Sequence, residues 1–294
     1  MADLVTAVFL ALRGHFFDGA GEPVPFSLRP KRNTQDDPFD EMLAMVVLAE
    51  LEGIVCERSS GPLITPDMVL YRRELCDGAS RASLADAFDC IFGLEVKKLE
   101  RTAQGTVARA SGLDYNTTPP CGRVRVYDRS GSTLDIRGFY LFVCLEPAGE
   151  EAFMLTALAL VDGDVLNSDF QLYLSIVGER EKRIGLGTYA DGADRTRPML
   201  IFGNPLGIPE LSHGAWLVHP AADLDATVSR LRRVHALERS VPGGGTCAFT
   251  CYRLASDLPP GFRASTLKDP FPTPSRRSQR TSPRGRFRLS FRLS

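Results

Sequence analysis

Two apolar stretches decide how this sequence folds: TPDMVLY at residues 65–71 and GLEVKK at residues 93–98. Each has the length of a β-strand. Glu95 and Lys97 are two positions apart, so on a strand both side chains lie on one face, while the residues that alternate with them face a core. Asp67 opens the first stretch. If the two strands are neighbours in a sheet, Asp67, Glu95 and Lys97 meet at one point.

This combination of side chains suits metal-dependent hydrolysis of a phosphodiester. Carboxylate oxygens hold hard divalent cations, and a bound cation lowers the pKa of its water, which makes that water a nucleophile. A lysine beside the water orients it or offsets negative charge on the reacting phosphate. The same residues are also compatible with a solvated turn at Pro66-Asp67 and a surface strand that ends in Lys97-Lys98.

Pro66-Asp67 and Glu95-Val96-Lys97 resemble the motif of the PD-(D/E)xK nuclease superfamily, whose largest group is the Type II restriction endonucleases. The resemblance covers roughly residues 38–145. It implies an α/β fold with a restriction-endonuclease-like core, in which helices flank a mixed central β-sheet that carries strand-rich elaborations. It also implies that Asp67, Glu95 and the Val96 carbonyl bind Mg²⁺, and that Lys97 positions the nucleophilic water.

Three other acidic residues are alternative metal ligands. Some members of the superfamily place the metal-binding aspartate only a few residues before the ExK motif, which would select Asp86 or Asp89. In several members a glutamate on the first core helix reaches the metal, and Glu50 has that position here. We prefer Asp67 because its Pro-Asp pair leads directly into a clear strand.

Candidate DNA contacts follow the ExK strand. Residues 112–122 form a polar, turn-rich stretch stiffened by two prolines. Its polar side chains suit hydrogen bonds to base edges or phosphates, and the next stretch, RVRVY at residues 123–127, alternates as a half-buried strand with its arginines on one face. A stiff structural loop explains residues 112–122 equally well, and a solvated strand face is the favoured interpretation of the Arg123 and Arg125 pair. The candidate DNA-binding residues are Tyr115, Asn116, Thr117, Arg123 and Arg125.

Composition is that of a soluble globular protein, with 294 residues, 44% hydrophobic and 24% charged. No apolar run approaches the length of a membrane span, and the N-terminus lacks the basic region of a secretory signal. The seven cysteines have no repeating spacing, which favours reduced thiols. We therefore expect a cytoplasmic protein without a membrane partner. The net charge of −1 argues mildly against nonspecific binding to nucleic acid.

Local signals place several further elements. Asp37 and Pro38 predict the start of a helix that ends at Gly53. Apolar runs predict strands at residues 91–99, 139–145, 153–160 and 170–177, and an apolar stripe predicts an amphipathic helix over residues 222–239. We divide the chain into a nuclease domain, residues 1–268, and a Pro/Arg-rich basic tail, residues 269–294. The tail is either a disordered phosphate-binding arm or, over residues 287–293, a terminal strand.

The sequence thus predicts a Mg²⁺-dependent, sequence-specific endonuclease that cleaves double-stranded DNA, as a Type II restriction enzyme does. The large part of the chain outside the expected core suggests recognition elements. Cleavage of both strands of a palindrome would require a symmetric homodimer. The alternatives are a repair or recombination nuclease of the same superfamily, and a non-catalytic DNA-binding protein that retains the fold.

Overall fold

A computed structural model describes most of the chain, and the statements below concern that part alone. Its helices are α1 Leu4–Phe16, α2 Pro38–Glu50, α3 Arg73–Cys76, α4 Arg81–Leu84 and α5 Leu224–Thr227. Its strands are β1 Phe26–Ser27, β2 Ile54–Arg58, β3 Met68–Arg72, β4 Ile91–Arg101, β5 Val107–Ala110, β6 Arg123–Tyr127, β7 Thr133–Pro147, β8 Ala152–Asp162, β9 Gly214–His219, β10 Leu231–Ser240, β11 Thr246–Leu254, β12 Ser265–Leu267 and β13 Phe287–Arg288. The described residues are 2–33, 36–60, 64–76, 78–105, 107–110, 122–166, 213–240, 246–267 and 287–291.

Two long helices begin at aspartate caps. The Asp3 side chain accepts the Thr6 amide at 2.8 Å and starts α1, which the sequence analysis did not predict. Asp37 accepts the Phe39 amide at 3.2 Å and starts α2, as predicted. Among the described residues, no helix is long and apolar enough to span a membrane.

A mixed sheet dominates the fold, with strand order β12-β10-β11-β9-β8-β7-β4-β3-β2. Strands β2, β3 and β4 form an antiparallel meander, and β4 then pairs in parallel with β7. Strand β7 continues to β8 in antiparallel pairing, and β8 to β9 in parallel. The predicted α/β class is confirmed at this coarse level, as a large mixed sheet flanked by few helices.

The two faces of the sheet bury different clusters. On one face, α1 and α2 pack on alternate residues of the central strands, including Leu94 and Val96 of β4. On the other face, Leu99 of β4 joins Tyr140 and Phe142 of β7 in a second core. Glu95 and Lys97 alternate with Leu94 and Val96, so they lie on the face away from the two helices.

The predicted amphipathic helix over residues 222–239 is wrong. Only Leu224–Thr227 is helical, and Leu231–Ser240 is strand β10. A β-bulge between Arg233 and His235 explains the error. A bulge inserts one residue and resets the alternation of a strand. The bulge places Val234 and Leu237, three residues apart, on one face of the sheet, while Leu231, three residues before Val234, is buried on the other face. The buried apolar residues therefore recur three apart in the sequence, as on a helix.

The C-terminal segment is built into the fold over residues 287–291. Strand β13 pairs in parallel with β6. Leu289 and Phe291 are buried in a third core, where the Phe291 ring lies 5.1 Å from that of Tyr71. Of the predicted terminal strand, Phe287–Arg288 is a strand, and residues 289–291 are not. The rest of the predicted basic tail, residues 269–286 and 292–294, and the strand predicted at residues 170–177 lie outside the described residues.

Candidate active site

Strand pairing places Asp67 beside the ExK strand. The antiparallel register of β3 and β4 pairs Met68 with Leu94. Continued by one residue, it sets Asp67 opposite Glu95. The Asp67 Oδ2 atom accepts the backbone N–H of Val96 at 2.7 Å, which links the two motifs directly.

Glu95 and Lys97 contact each other on the face of β4 that lies away from α1 and α2. The Lys97 ammonium donates to Glu95 Oε1 at 2.5 Å, and each side chain is only 11% exposed. The second carboxylate oxygen, Glu95 Oε2, is buried and has no hydrogen-bond partner among the described residues. A buried oxygen without a partner is unfavourable, and a cation at this oxygen would remove that penalty.

Burial and like charge perturb the acid–base properties of the cluster. The pKa of Asp67 is raised to about 7, mainly by burial. The negative charge of Glu95 also raises this pKa, and its effect is larger than the opposite effect of the Lys97 charge. For Lys97, burial lowers the pKa, but the negative charges of Glu95 and Asp67 outweigh burial and leave the pKa above its usual value. Lys97 is therefore a stable cation at neutral pH. A strongly perturbed carboxylate beside a lysine is typical of functional sites.

A third carboxylate approaches the cluster from helix α2. Burial raises the pKa of Asp40 to about 6, where the attraction of Lys98 opposes the repulsion from Asp67 and Asp37. Asp40 accepts the Lys98 ammonium at 3.1 Å, and Asp37 is a second partner of that ammonium. Lys98 is 5% exposed and lies over the Phe39 ring, on the face opposite Lys97.

The sequence does not predict Asp40 as a site residue, and on the same helix it offers Glu50 only as an alternative ligand. Glu50 is exposed at the last position of α2. It lies ten residues after Asp40, which is about 15 Å along a helix axis. The acid that approaches Asp67 is therefore Asp40, in the first turn. The available signal was that the start of α2 carries several acids close to its N-cap.

The alternative aspartates lie at the other end of β4. Asp86 and Asp89 are both exposed and precede Ile91, which pairs with Tyr71. Ile91 is four residues from Glu95, about 13 Å along a strand. The structure thus brings Asp67 to Glu95, and it leaves Asp86 and Asp89 at a distance.

The candidate DNA-binding arginines lie on the outer face of β6. Arg123 pairs with Asp86, and Arg125 forms a two-pronged pair with Asp135 at 2.7 and 2.8 Å. Exposed pairs of this kind are weak. Tyr115, Asn116 and Thr117 lie outside the described residues.

The chemistry of the donor set fits Mg²⁺. Mg²⁺ binds one or two carboxylates and keeps several of its waters, and Asp67 and Glu95 supply two carboxylates. Within the ranges that the structure describes, no three Asp, Glu, His or Cys side chains form a complete protein cage for a metal. A cation here would therefore be held by two side chains, with water and the Val96 carbonyl completing its shell.

Comparison of the chain with protein-family profiles, curated proteins and solved structures found no match. The functional inference therefore rests on the geometry of Asp67, Glu95 and Lys97.

Proposed function

We propose that this protein is a Mg²⁺-dependent endonuclease of the PD-(D/E)xK type that hydrolyses double-stranded DNA. One observation carries the proposal. Asp67, which is distant in the sequence from Glu95 and Lys97, meets their strand through a direct hydrogen bond, and Lys97 pairs with Glu95. One Glu95 oxygen stays buried without a partner among the described residues. The order of elements supports the proposal, because a helix precedes an antiparallel meander whose last two strands carry the motif.

Each residue has a distinct role in the proposed reaction. Glu95 Oε2 and Asp67 would hold Mg²⁺, which supplies an activated water and stabilises charge on the phosphate. Lys97 keeps its proton at neutral pH, so it donates a hydrogen bond to the water or to a phosphate oxygen and does not act as the base. Asp40 and Lys98 fix the start of α2 against the site.

A Type II restriction enzyme is the most specific form of the proposal. It requires recognition elements beyond the nuclease core, and the chain has more than a hundred residues after β8. A homodimer would follow from symmetric cleavage of both strands. Incubation with plasmid DNA in Mg²⁺ distinguishes a restriction enzyme from a repair or recombination nuclease and from a non-catalytic DNA-binding protein. Discrete fragments support restriction, a smear or structure-selective cutting supports repair or recombination, and binding without cleavage supports a silent DNA-binding protein.

Three matched variants test the choice of ligand. Asp67→Asn, Asp86→Asn and Asp89→Asn each remove one carboxylate charge without changing the shape of the side chain. We expect Asp67→Asn to reduce Mg²⁺-dependent cleavage by at least about two orders of magnitude, on the scale of losing one element of metal-assisted catalysis. Asp86→Asn and Asp89→Asn should cleave at wild-type rates. An inactive Asp89→Asn beside an active Asp67→Asn would reject the assigned site.

A further inference from the structure

A row of cross-strand neighbours connects the candidate active site on β4 to strand β10, on the far side of the sheet. Lys97 on β4 pairs with Phe142 on β7, Phe142 with Ala159 on β8, and Ala159 with Trp216 on β9. The β9–β11 register pairs Leu217 with Tyr252. Directly opposed residues point to the same face of a sheet, so the side chains of this row share the face that carries Lys97.

The row ends in two arginines. The β9–β11 register, continued by one residue, sets Arg253 of β11 opposite Trp216, and Arg253 pairs with Arg232 of β10. Adjacent strands lie about 4.8 Å apart. With this spacing, Arg253 and Arg232 are about 19 and 24 Å from β4 along the sheet.

The Arg253 guanidinium is held in place without a salt bridge to any acid among the described residues. It lies 4.7 Å from the Trp216 ring centroid, in a cation–π contact. Gly214 makes room for it, since a Cβ atom there would come within 2.5 Å of Arg253 Nη2. Arg253 Nε is buried and has no hydrogen-bond partner in the part of the chain that the structure describes. Asp257, whose charge attracts Arg253, has both carboxylate oxygens engaged by Arg13.

Arg232 adds a second cation directly opposite Arg253. It is exposed, and its Nη1 atom donates to the Ser229 and Leu231 carbonyls at 3.0 and 2.8 Å. Like charges that face each other across two strands destabilise a sheet. An anion between the two guanidinium groups would remove that repulsion. Arginine suits a phosphate in particular, because its planar group donates two parallel hydrogen bonds to phosphate oxygens.

We propose that Arg232 and Arg253 bind one backbone phosphate of a DNA duplex, while a second phosphate of the same duplex lies at Lys97 and is cleaved there. The proposal rests on the proposed nuclease function for the identity of the ligand. With a rise of about 3.4 Å per base pair, a span of about 19–24 Å corresponds to roughly six or seven base pairs. The middle of the row, at Phe142 and Ala159, is buried. The duplex would therefore contact the two charged ends of the row and bridge its centre.

DNA binding measured without cleavage tests the contact. Fluorescence anisotropy compares wild type with three variants: the double variant Arg232→Gln/Arg253→Gln, Arg232→Gln alone and the control Arg73→Gln. The DNA is a duplex of about 25 base pairs, which is long enough to span the six or seven base pairs expected above. Ca²⁺ replaces Mg²⁺, and salt is varied. Each lost phosphate contact should lower the slope of log affinity against log salt by about 0.9. Because both arginines bind one phosphate, the double variant should lose about one unit of slope and bind about tenfold more weakly in about 100 mM salt.

The controls separate this contact from catalysis and from folding. Arg73 is exposed directly after β3, and Arg73→Gln should bind as wild type does. Arg232→Gln alters an exposed side chain and should keep the wild-type Tm while losing less slope than the double variant does, because Arg253 still contacts the phosphate. Cleavage at saturating DNA should proceed at the wild-type rate in Arg73→Gln, whose side chain lies outside the row.

Other outcomes overturn the proposal in distinguishable ways. Equal affinity and slope in wild type and the double variant would reject the phosphate contact and leave the nuclease proposal standing. A wild-type protein that does not bind DNA would reject both. In a third outcome, inorganic phosphate raises the Tm of wild type but not that of the double variant, and both proteins bind DNA equally well. This outcome would show that the two arginines bind a small anion, and it would reject the DNA contact.

Discussion

Replacement of Asp67 by asparagine should stabilise the metal-free protein at alkaline pH. The Asp67 carboxyl is buried beside Glu95, and burial raises its pKa to about 7 from the ordinary value of 3.8. Between these two values the folded protein binds a proton that the unfolded chain has released. The free energy of unfolding therefore falls as pH rises through this window. An asparagine at this position would keep a side-chain oxygen for the Val96 N–H but carry no charge.

The magnitude follows from the width of the window. Each pH unit over which only the folded state holds the proton changes the free energy of unfolding by about 1.4 kcal/mol. Between about pH 5 and pH 7 this amounts to about 3 kcal/mol, and above about pH 7 the effect is constant. Relative to wild type, Asp67→Asn should therefore gain about 3 kcal/mol on going from about pH 5 to pH 8, or about 6 °C in Tm.

Urea denaturation in EDTA at several pH values from about 5 to 8 measures this difference directly. Asp86→Asn is the control, because the Asp86 side chain is 74% exposed and pairs only at the surface with Arg123, and its curve should parallel that of wild type. Addition of Mg²⁺ at the alkaline end should stabilise wild type and not Asp67→Asn, since a ligand stabilises only a state that binds it. Parallel pH curves for wild type and Asp67→Asn would refute the reasoning.

Three further variants test the surroundings of the site by urea denaturation. Lys98→Met should destabilise the fold by about 3 kcal/mol, because it leaves the Asp40 carboxylate unpaired at a buried position; wild-type stability would show that this ion pair is dispensable. Gly93→Ala should destabilise the fold by about 1–3 kcal/mol, since a Cβ atom would come within 2.5 Å of Val124 on β6. It should also slow cleavage, and an unchanged cleavage rate would show that the packing of β6 on β4 does not affect the site. Phe291→Ala should destabilise by about 3 kcal/mol through loss of core packing, and a neutral result would show that the C-terminal segment does not support the core.

Elements with strong local signals were predictable from the sequence. The Asp37-Pro38 pair fixes the start of α2, and the alternation around Glu95 and Lys97 predicts both the strand and the face on which they lie. Residues 4–12 of helix α1 are apolar at every position except Thr6, so the sequence shows no polar face there. A helix that is apolar on most sides lacks the periodicity by which sequence patterns identify helices.

Tertiary contacts decided the features that the sequence did not predict. The bulge in β10 is invisible locally, since apolar residues three apart also fit a helix. Asp40 joins the site only because α2 packs with its first turn near Asp67. Lys98 lies on the face opposite Lys97, as alternation requires, but its ion pairs with Asp37 and Asp40 depend on the packing of α2. Such pairings join residues far apart in the chain.

Cleavage by Lys97→Met tests the central claim most directly. Single-turnover hydrolysis of plasmid DNA in Mg²⁺ is compared for wild type, Lys97→Met and Lys31→Met, since Lys31 is an exposed lysine outside the site. Binding of DNA in Ca²⁺ and the Tm show whether each variant is folded and competent to bind. We predict wild-type cleavage by Lys31→Met, and loss of cleavage with retained DNA binding for Lys97→Met. Cleavage by Lys97→Met at the wild-type rate would contradict the assignment of Asp67, Glu95 and Lys97 as a nuclease active site.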